Sequence, residues 1–372
     1  MTRPVVIAAG GTGGHMFPAL ALAAELRQRG QPVMLVCDAR GARYVGRGIE
    51  HRLIQAASPS GRWPGRLGGL GRLGVGWWQS LWILRRARPL AVAAFGGYAA
   101  APVGLAATML RMPLLVHEQN AVLGRANRLI ARRAARVALT FEATRGAEAV
   151  PAARRIVTGN PVRAEVAALC GTPYRSPGPD RALRVLVVGG SQGARVLSEV
   201  LPAAIARLDK DERARLALTQ QCRPDDLDRV ASAYAGLGFA AELATFFDDL
   251  PERMAAAHLV ISRAGASSVA ELLALGRPAL LVPFRFAADD HQQANAEAVS
   301  AAHAGWLIEE TRLDAETLAG KLRACLEQPG QLLELASRAA ALGRIDAAGA
   351  LADALQSIMA PASLKTQMEA LA

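Results

Sequence analysis

Twice in 372 residues the chain runs an apolar, β-branched stretch into a glycine-rich turn and then into an alanine- and leucine-rich helical pattern. The first copy is Val5-Val6-Ile7-Ala8-Ala9-Gly10-Gly11-Thr12-Gly13-Gly14-His15-Met16-Phe17-Pro18, and the second is Val185-Leu186-Val187-Val188-Gly189-Gly190-Ser191-Gln192-Gly193-Ala194. Uninterrupted apolar runs suit strands buried on both faces, as in parallel sheets covered by helices. Glycines in the turn let the backbone approach a ligand, and the unpaired N–H groups at the helix start favour an anion. Two such turns, in a chain too long for one core, predict an α/β protein with two Rossmann-like parallel-sheet domains facing a cleft.

The alternation continues along the chain. Strands are expected at 4–9, 32–37, 90–95, 113–117 and 135–140, then at 183–188, 214–219, 240–244, 258–262 and 279–282, with helices between them. The boundary is placed near residue 165, giving domains 1–164 and 165–372. Thr172–Arg181, rich in proline, glycine and polar residues, is the linker candidate. Beyond about 312 the pattern is helical and alanine-rich, and its end either frays or docks back on the first domain.

Charge separates the two halves. Residues 1–164 carry 23 Lys+Arg against 6 Asp+Glu, a balance of +17, whereas 165–372 carry 20 against 26, a balance of −6. No acidic residue lies between Glu50 and Glu118, a stretch holding Arg52, Arg62, Arg66, Arg72, Arg85, Arg86, Arg88 and Arg111. An anionic partner is expected for this half. Trp63, Trp77, Trp78 and Trp82 lie in the same stretch. Tryptophan with arginine suits an anionic membrane surface, with Trp77, Trp78, Trp82, Arg85 and Arg86 as the contact residues. A loop and helix packing their tryptophans on the core would read the same way, and stacking on nucleic acid is the weakest of the three readings. Pro89–Leu110 is uncharged over 22 residues, but Gly96, Gly97, Pro102 and Gly104 interrupt it, so it reads as strand, turn and helix start rather than a membrane span. Cys37, Cys170, Cys222 and Cys325 are scattered without metal-ligand spacing, and Met1 leads straight into a strand pattern with no signal-peptide character. A cytoplasmic protein with reduced thiols is expected.

Several motifs carry chemistry. Asp38 ends the second strand, where a dinucleotide fold would place a ribose-binding acid, but the third glycine of G-x-G-x-x-G would fall on Met16, and neither turn is a P-loop. His15 follows the first glycines, where an imidazole can deprotonate an attacking hydroxyl or merely bond a loop carbonyl. Ser262–Gly276 again passes from strand into helix. There Ser268 and Glu271 have the spacing of a capping box, while a carboxylate at Glu271 is equally suited to a ribose diol beside a diphosphate at the helix start. Gln292 and Gln293 can donate to and accept from sugar hydroxyls. His117-Glu118-Gln119-Asn120 and Gly159-Asn160-Pro161-Val162-Arg163 close strands of the first half, where ligands enter open α/β sheets. Arg163 suits a phosphate or a domain-pinning ion pair. The pairs Asp209/Asp211 and Asp226/Asp228 read as solvated loops rather than metal ligands.

Taken together, GGTGGHMFPALALA, FGGYAAAP, HEQNAVLGRANR, GNPVR, VVGGSQGAR, SRAGASSVAEL and VPFRFAADDHQQANA resemble the MurG family, the bacterial N-acetylglucosaminyltransferases of peptidoglycan synthesis. The matching motifs run in family order from about residue 5 to 306. The resemblance implies a glycosyltransferase B fold with an acceptor- and membrane-facing N-terminal domain and a UDP-N-acetylglucosamine-binding C-terminal domain. It implies inverting transfer to the 4-hydroxyl of the muramoyl-pentapeptide of lipid I, giving lipid II, without a metal or other cofactor or a nucleic-acid partner. The place implied is the cytoplasmic face of the inner membrane, as a peripheral protein. Carried over by position, Ser191 and its glycines would hold the donor diphosphate and Phe247 would offer backbone to the uracil. Ala266, Ser267, Ser268, Val269 and Ala270 would line the diphosphate and ribose, with Glu271 on the ribose hydroxyls. Gln292 and Gln293 would bind the sugar, and Thr12, Gly13, Gly14, Asn120 and Arg163 would complete the site from the N-terminal side. His15 would be the catalytic base.

Overall fold

The computed structural model describes residues 3–46, 48–56, 65–178, 181–189 and 194–359. The chain forms two compact units, Met1–Arg163 joined by the segment from Asp346, and Ala164–Ile345. Each is built on one wholly parallel sheet.

The first unit contains β1 (Val5–Ala8), β2 (Val33–Cys37), β3 (Glu50–Leu53), β4 (Val92–Ala94), β5 (Leu114–Glu118), β6 (Arg136–Leu139) and β7 (Arg155–Val157), in the order β3-β2-β1-β4-β5-β6-β7. Its helices are α1 (Gly13–Gln28), α2 (Gly65–Ala87), α3 (Gly97–Met109) and α4 (Arg125–Ala131). In the second unit, β8 (Leu183–Val188), β9 (Leu216–Gln221), β10 (Ala241–Ala244), β11 (Leu259–Ser262), β12 (Ala279–Leu281) and β13 (Trp306–Leu307) stand in the order β10-β9-β8-β11-β12-β13. The remaining helices are α5 (Ala164–Ala167), α6 (Arg195–Ala206), α7 (Lys210–Ala214), α8 (Pro224–Gly236), α9 (Leu250–Ala256), α10 (Ala266–Ala274), α11 (His291–Ala301), α12 (Ala315–Glu327), α13 (Pro329–Leu342) and α14 (Ala347–Met359).

Burial on both faces explains the apolar runs. Val6 pairs with Met34 of β2 on one side and Val92 of β4 on the other, so β1 has no polar edge. Its alternating side chains feed two cores: Val6 and Ala8 meet Leu81, Leu84 and Val103, whereas Val5 and Ile7 meet Met16, Leu22 and Leu26. The second core is completed by Leu351, Leu355 and Ile358 of α14. Arg29 at the end of α1 fixes that helix, donating to the carbonyl of Gly349 (3.3 Å) and to Gln356 (3.0 Å) and pairing with Asp353. The last helix thus belongs to the first unit.

Among the described residues, ten of the thirteen strands fall where expected. The three others, β3, β7 and β13, are all edge strands. The four residues of β3 are exposed, so nothing apolar marks them. The linker expectation at Thr172–Arg181 is corrected: the described part of this stretch is bound into the second unit. Arg277 donates to the Thr172 carbonyl (3.1 Å), and the Tyr174 hydroxyl donates to the carbonyl of His258 (3.1 Å). Pro89–Leu110 forms β4, a turn and α3, and among the described residues no helix is long and apolar enough to cross a membrane.

In each sheet the strand order reverses once, between β1 and β4 and between β8 and β11. Connections leave opposite faces there, so a crevice opens at the carboxyl ends of those strands. The first glycine turn lies at the first of these points. At the first, Gly97 has φ +74°, and a Cβ on it would stand 2.8 Å from the Gly10 carbonyl oxygen. Gly30, with φ +75°, has open space around it. Gly30→Ala is therefore expected to cost roughly 1 kcal/mol, the left-handed backbone penalty alone. Gly97→Ala adds a backbone clash and should cost roughly 2–4 kcal/mol in urea denaturation. Equal losses would show that the two turns do not press on one another.

Candidate functional site

The first crevice is built on a carboxylate. Buried Asp38 follows β2 and accepts from the N–H of Gly11 (2.9 Å) and of Gly41 (2.8 Å) through Oδ1, while Oδ2 faces Arg40 at 3.3 Å. A Cβ on Gly10 would lie 3.0 Å from the same carboxylate and 2.7 Å from Ala99, so only glycine admits this packing. Asp38 is accordingly the clamp of the glycine turn. Thr12 caps α1 by its main chain only, and Gly13 and Gly14 open the helix with no acid in the first turn. These features keep the helix start open to an anion.

His15, half-buried, sits one residue further along α1. A Cβ on Gly96 or on Gly97 would come within 3.3 Å of its ring, so those glycines make room for it. Its Nδ1 lies 3.1 Å from Oε1 of buried Gln119. Gln119 Nε2 reaches the Phe95 carbonyl (2.9 Å) and His117 Nδ1 (3.0 Å), and His117 Nε2 reaches the Gly159 carbonyl (3.0 Å). Glu118, also buried, does not face this line. Its Oε1 accepts from the N–H and Nδ2 of Asn120 (3.0 and 3.1 Å), and its Oε2 from the Gly124 N–H (2.9 Å) and Asn127 Nδ2 (2.8 Å). It shapes the loop that carries Asn120. Arg163 lies 5.6 Å over the Phe17 ring on α1. The structure thus gathers Thr12, Gly13, Gly14, His15 and Gln119 at one strand-order reversal.

The second crevice differs in kind. Gly190–Gly193, including Ser191, lies outside the described residues. From the neighbouring strand β11 the chain enters α10 through Gly265, which caps the helix without a side-chain bond. No capping box forms: Ser268 is the third residue of the helix, not its cap. Ala266, Ser267 and Ser268 make an acid-free first turn, with Val269, Ala270 and Glu271 buried behind it. Ser267 Oγ is buried with no hydrogen-bond partner among the described residues. Phe247 is buried under the Arg253 guanidinium at 4.4 Å, just after β10. Gln292 Oε1 accepts from the Phe284 N–H (2.9 Å), and Gln293 Nε2 donates to Glu297 (3.0 Å). Two supports escaped sequence reasoning. Asn295, fully buried, donates to the Ala264 carbonyl (3.0 Å) and ties α11 to the entry of α10. Arg263 pairs with Glu310 at 2.7 Å and donates to the Val282 carbonyl (3.2 Å), pinning the loop before α11.

The tryptophan helix α2 divides its residues by face. Ser80, Leu81 and Leu84 are buried, and half-buried Trp77 packs on the same core, which corrects its expected surface placement. Trp78 and Trp82 remain 65% and 63% exposed. Arg85 and Arg86 are exposed, and Arg86 lies 5.6 Å over Trp82. Trp63 lies outside the described residues.

Two family models match the chain: the glycosyltransferase family 28 N-terminal domain over residues 5–139 and the family 28 C-terminal domain over 184–351. The chain belongs to glycosyltransferase family 28. It is 49% identical over 354 residues, 95% of this chain and 93% of the relative, to a Rhodospirillum centenum protein named UDP-N-acetylglucosamine–N-acetylmuramyl-(pentapeptide) pyrophosphoryl-undecaprenol N-acetylglucosamine transferase. A Granulibacter bethesdensis protein of the same name is 47% identical over 95% of this chain and 93% of its own length. Among solved structures, Acinetobacter baumannii MurG is similar with a TM-score of 0.78 at 29% identity, covering 95% of this chain and 99% of that one. The two parallel-sheet units are those of the glycosyltransferase B fold, and the family 28 chain is an enzyme of glycosyl transfer.

Two buried histidines set a pH limit on this enzyme. Burial pushes His117 down to about 4, and burial beside Arg184 does the same to His258, which accepts the Arg184 N–H at 2.9 Å. Both are neutral when folded and titrate near 6.5 when unfolded. Stability is therefore complete above pH 6.5 and falls as the pH drops towards 4, by roughly 3 kcal/mol for each histidine. Urea unfolding at pH 7 and pH 4.5 should show this loss, with a shallower slope in His258→Gln. A flat profile across that window would mean that neither histidine is held neutral.

Proposed function

We propose that the protein moves N-acetylglucosamine from UDP-N-acetylglucosamine to the 4-hydroxyl of the muramoyl-pentapeptide of lipid I, giving lipid II with inversion at the anomeric carbon. The observation that carries this reading is 49% identity across 95% of the chain to an enzyme named for that transfer. The geometry supports it at both crevices.

In the second unit the start of α10 is the donor site. Its acid-free first turn and the unpartnered Ser267 hydroxyl face the diphosphate, Glu271 takes the ribose hydroxyls, and the main chain at Phe247 takes the uracil. Gln292 has its carbonyl committed to Phe284 and offers its N–H groups, whereas Gln293 has its amide nitrogen committed to Glu297 and offers its carbonyl. Together they match sugar hydroxyls, which donate and accept. Ser191 belongs to this site on the same reading. As the anomeric bond breaks, charge develops on the departing UDP, and the N–H groups opening α10 stabilise it.

In the first unit His15 is the base for the muramoyl hydroxyl, and Thr12, Gly13 and Gly14 present the α1 start to the acceptor, with Asn120 and Arg163 placed nearby. The face of α2 bearing Trp78, Trp82, Arg85 and Arg86 rests on an anionic membrane surface, which places the enzyme peripherally at the cytoplasmic face of the inner membrane.

Transfer of radiolabelled sugar to a lipid I analogue tests the proposal. Wild type should form the disaccharide, and Glu271→Gln should raise KM for UDP-N-acetylglucosamine about 10- to 100-fold, the worth of one charged hydrogen bond. Turnover on another acceptor only, or donor binding without turnover, would replace the proposal by a different transferase or a nucleotide-sugar-binding protein. The membrane placement is tested separately by sedimentation with vesicles containing phosphatidylglycerol. Binding is expected at low salt, and Trp78→Ala with Trp82→Ala should weaken it at least tenfold. Unchanged binding in that double variant would remove the α2 face from the membrane.

A further inference from the structure

His15 has two ring nitrogens, and a base needs the lone pair on the one that meets the substrate. We infer that Gln119 is a positioning residue that holds His15 in the tautomer protonated on Nδ1, leaving the lone pair on Nε2. This inference rests on the reading of His15 as the base.

The direction of every proton in the line is set at its two ends. The carbonyls of Phe95 and Gly159 can only accept. Gln119 must therefore turn its NH2 towards Phe95 (2.9 Å), because the flipped amide would set oxygen against oxygen. His117 must carry its proton on Nε2 to donate to Gly159 (3.0 Å), which leaves its Nδ1 bare to accept the second Gln119 proton (3.0 Å), with the His117 carbonyl a longer acceptor of the same amide at 3.3 Å. With both amide protons used, only Oε1 remains to face His15 at 3.1 Å. A carbonyl oxygen cannot donate, so His15 Nδ1 carries the hydrogen.

Burial keeps this arrangement single-valued. Gln119 is 1% exposed and His117 fully buried, so neither exchanges its partners for water. His117 stays neutral in the buried site. Were it protonated, its Nδ1–H would point at the Gln119 NH2 and break the line. Among the described residues, nothing bonds His15 Nε2. In the opposite tautomer, the Nδ1 lone pair would face the Oε1 lone pair and a hydrogen would occupy the nitrogen needed for catalysis.

The step balances with the donor and acceptor proposed above. The muramoyl hydroxyl oxygen bonds to the anomeric carbon, the bond from that carbon to the UDP oxygen breaks, and its electron pair leaves with UDP. The hydroxyl proton passes to His15 Nε2, and the resulting imidazolium keeps Nδ1–H on Gln119 until Nε2 releases its proton to solvent.

Nitrogen-15 NMR of the full-length protein labelled in histidine tests this directly, with the His15 signals identified by their loss in His15→Ala. The parent should show a protonated Nδ1 and a bare Nε2 on His15. Gln119→Met, which keeps the length but not the amide, should shift His15 towards the Nε2–H form. It should also lower kcat on the lipid I analogue about 10- to 100-fold, with KM for UDP-N-acetylglucosamine within twofold of wild type. An Nε2–H form in the parent overturns the inference, and so does a folded Gln119→Met with unchanged tautomer and kcat. If that variant does not fold, the parent spectrum alone decides. Full transfer by His15→Ala would overturn the base reading instead, a result that leaves the tautomer measurement standing.

Discussion

Everything in the first crevice depends on how closely two backbone turns approach at the reversal of strand order. The Gly97 backbone lies against the Gly10 carbonyl, and Gly10 lies against Asp38 and Ala99. That contact brings the ends of β1 and β4 together, with the His15 ring lodged beside Gly96 and Gly97. It also places the Phe95 carbonyl where Gln119, from the end of β5, can reach it. A side chain at position 10 or 97 would separate the turns, and the histidine, the amide and the helix start would no longer share one place. The glycines thus matter through what they let touch, and only then through what they leave open to a ligand.

The second unit shares the strand order but is buttressed by side chains. The Arg263–Glu310 pair fixes the loop before α11, and Asn295 fixes the entry to α10. Both are nearly dry contacts in which an unmatched partner would be costly, so they hold the loops in one arrangement. The amides of Gln292 and Gln293 are half satisfied by their own helix and loop, which orients the halves left over. Similar topology therefore carries different constellations: a line of histidine and amide side chains in one unit, and an acid-free helix start with a buried carboxylate behind it in the other.

The fold was legible where strands are buried on both faces, because such strands must be apolar throughout. Glu50–Leu53 was not, because an edge strand has one neighbour and can be polar without cost, and the edge strands Arg155–Val157 and Trp306–Leu307 are too short for a period to show. The placement of His15 just after the glycine turn and of Glu271 in the helix after β11 was legible from the strand-turn-helix pattern. Asp38 had no role assignable from type, since an acid after the second strand suits a ribose as well as two loop N–H groups, and only the 2.9 and 2.8 Å contacts choose. Ser268 and Glu271 have capping-box spacing, yet the helix begins at Ala266, and a shift of that size at a terminus is beyond what spacing resolves. The pairings of Gln119 with His15 and of Arg263 with Glu310 join residues 104 and 47 positions apart, and no local pattern records them.

The identity of residue 119 has a physical reason. The position must offer two protons, to the Phe95 carbonyl and to His117 Nδ1, and one lone pair, to His15 Nδ1. A carboxylate there would supply lone pairs only, setting a buried negative charge against a carbonyl oxygen and a bare ring nitrogen. It would also stand close to the start of α1, the place suited to an anionic ligand. A hydroxyl has one proton to give and cannot serve both acceptors. The amide alone supplies both protons and the acceptor on one rigid plane, without charge. Its neutrality leaves the positive balance of the first unit intact while, on the proposed tautomer, setting which nitrogen of His15 is bare.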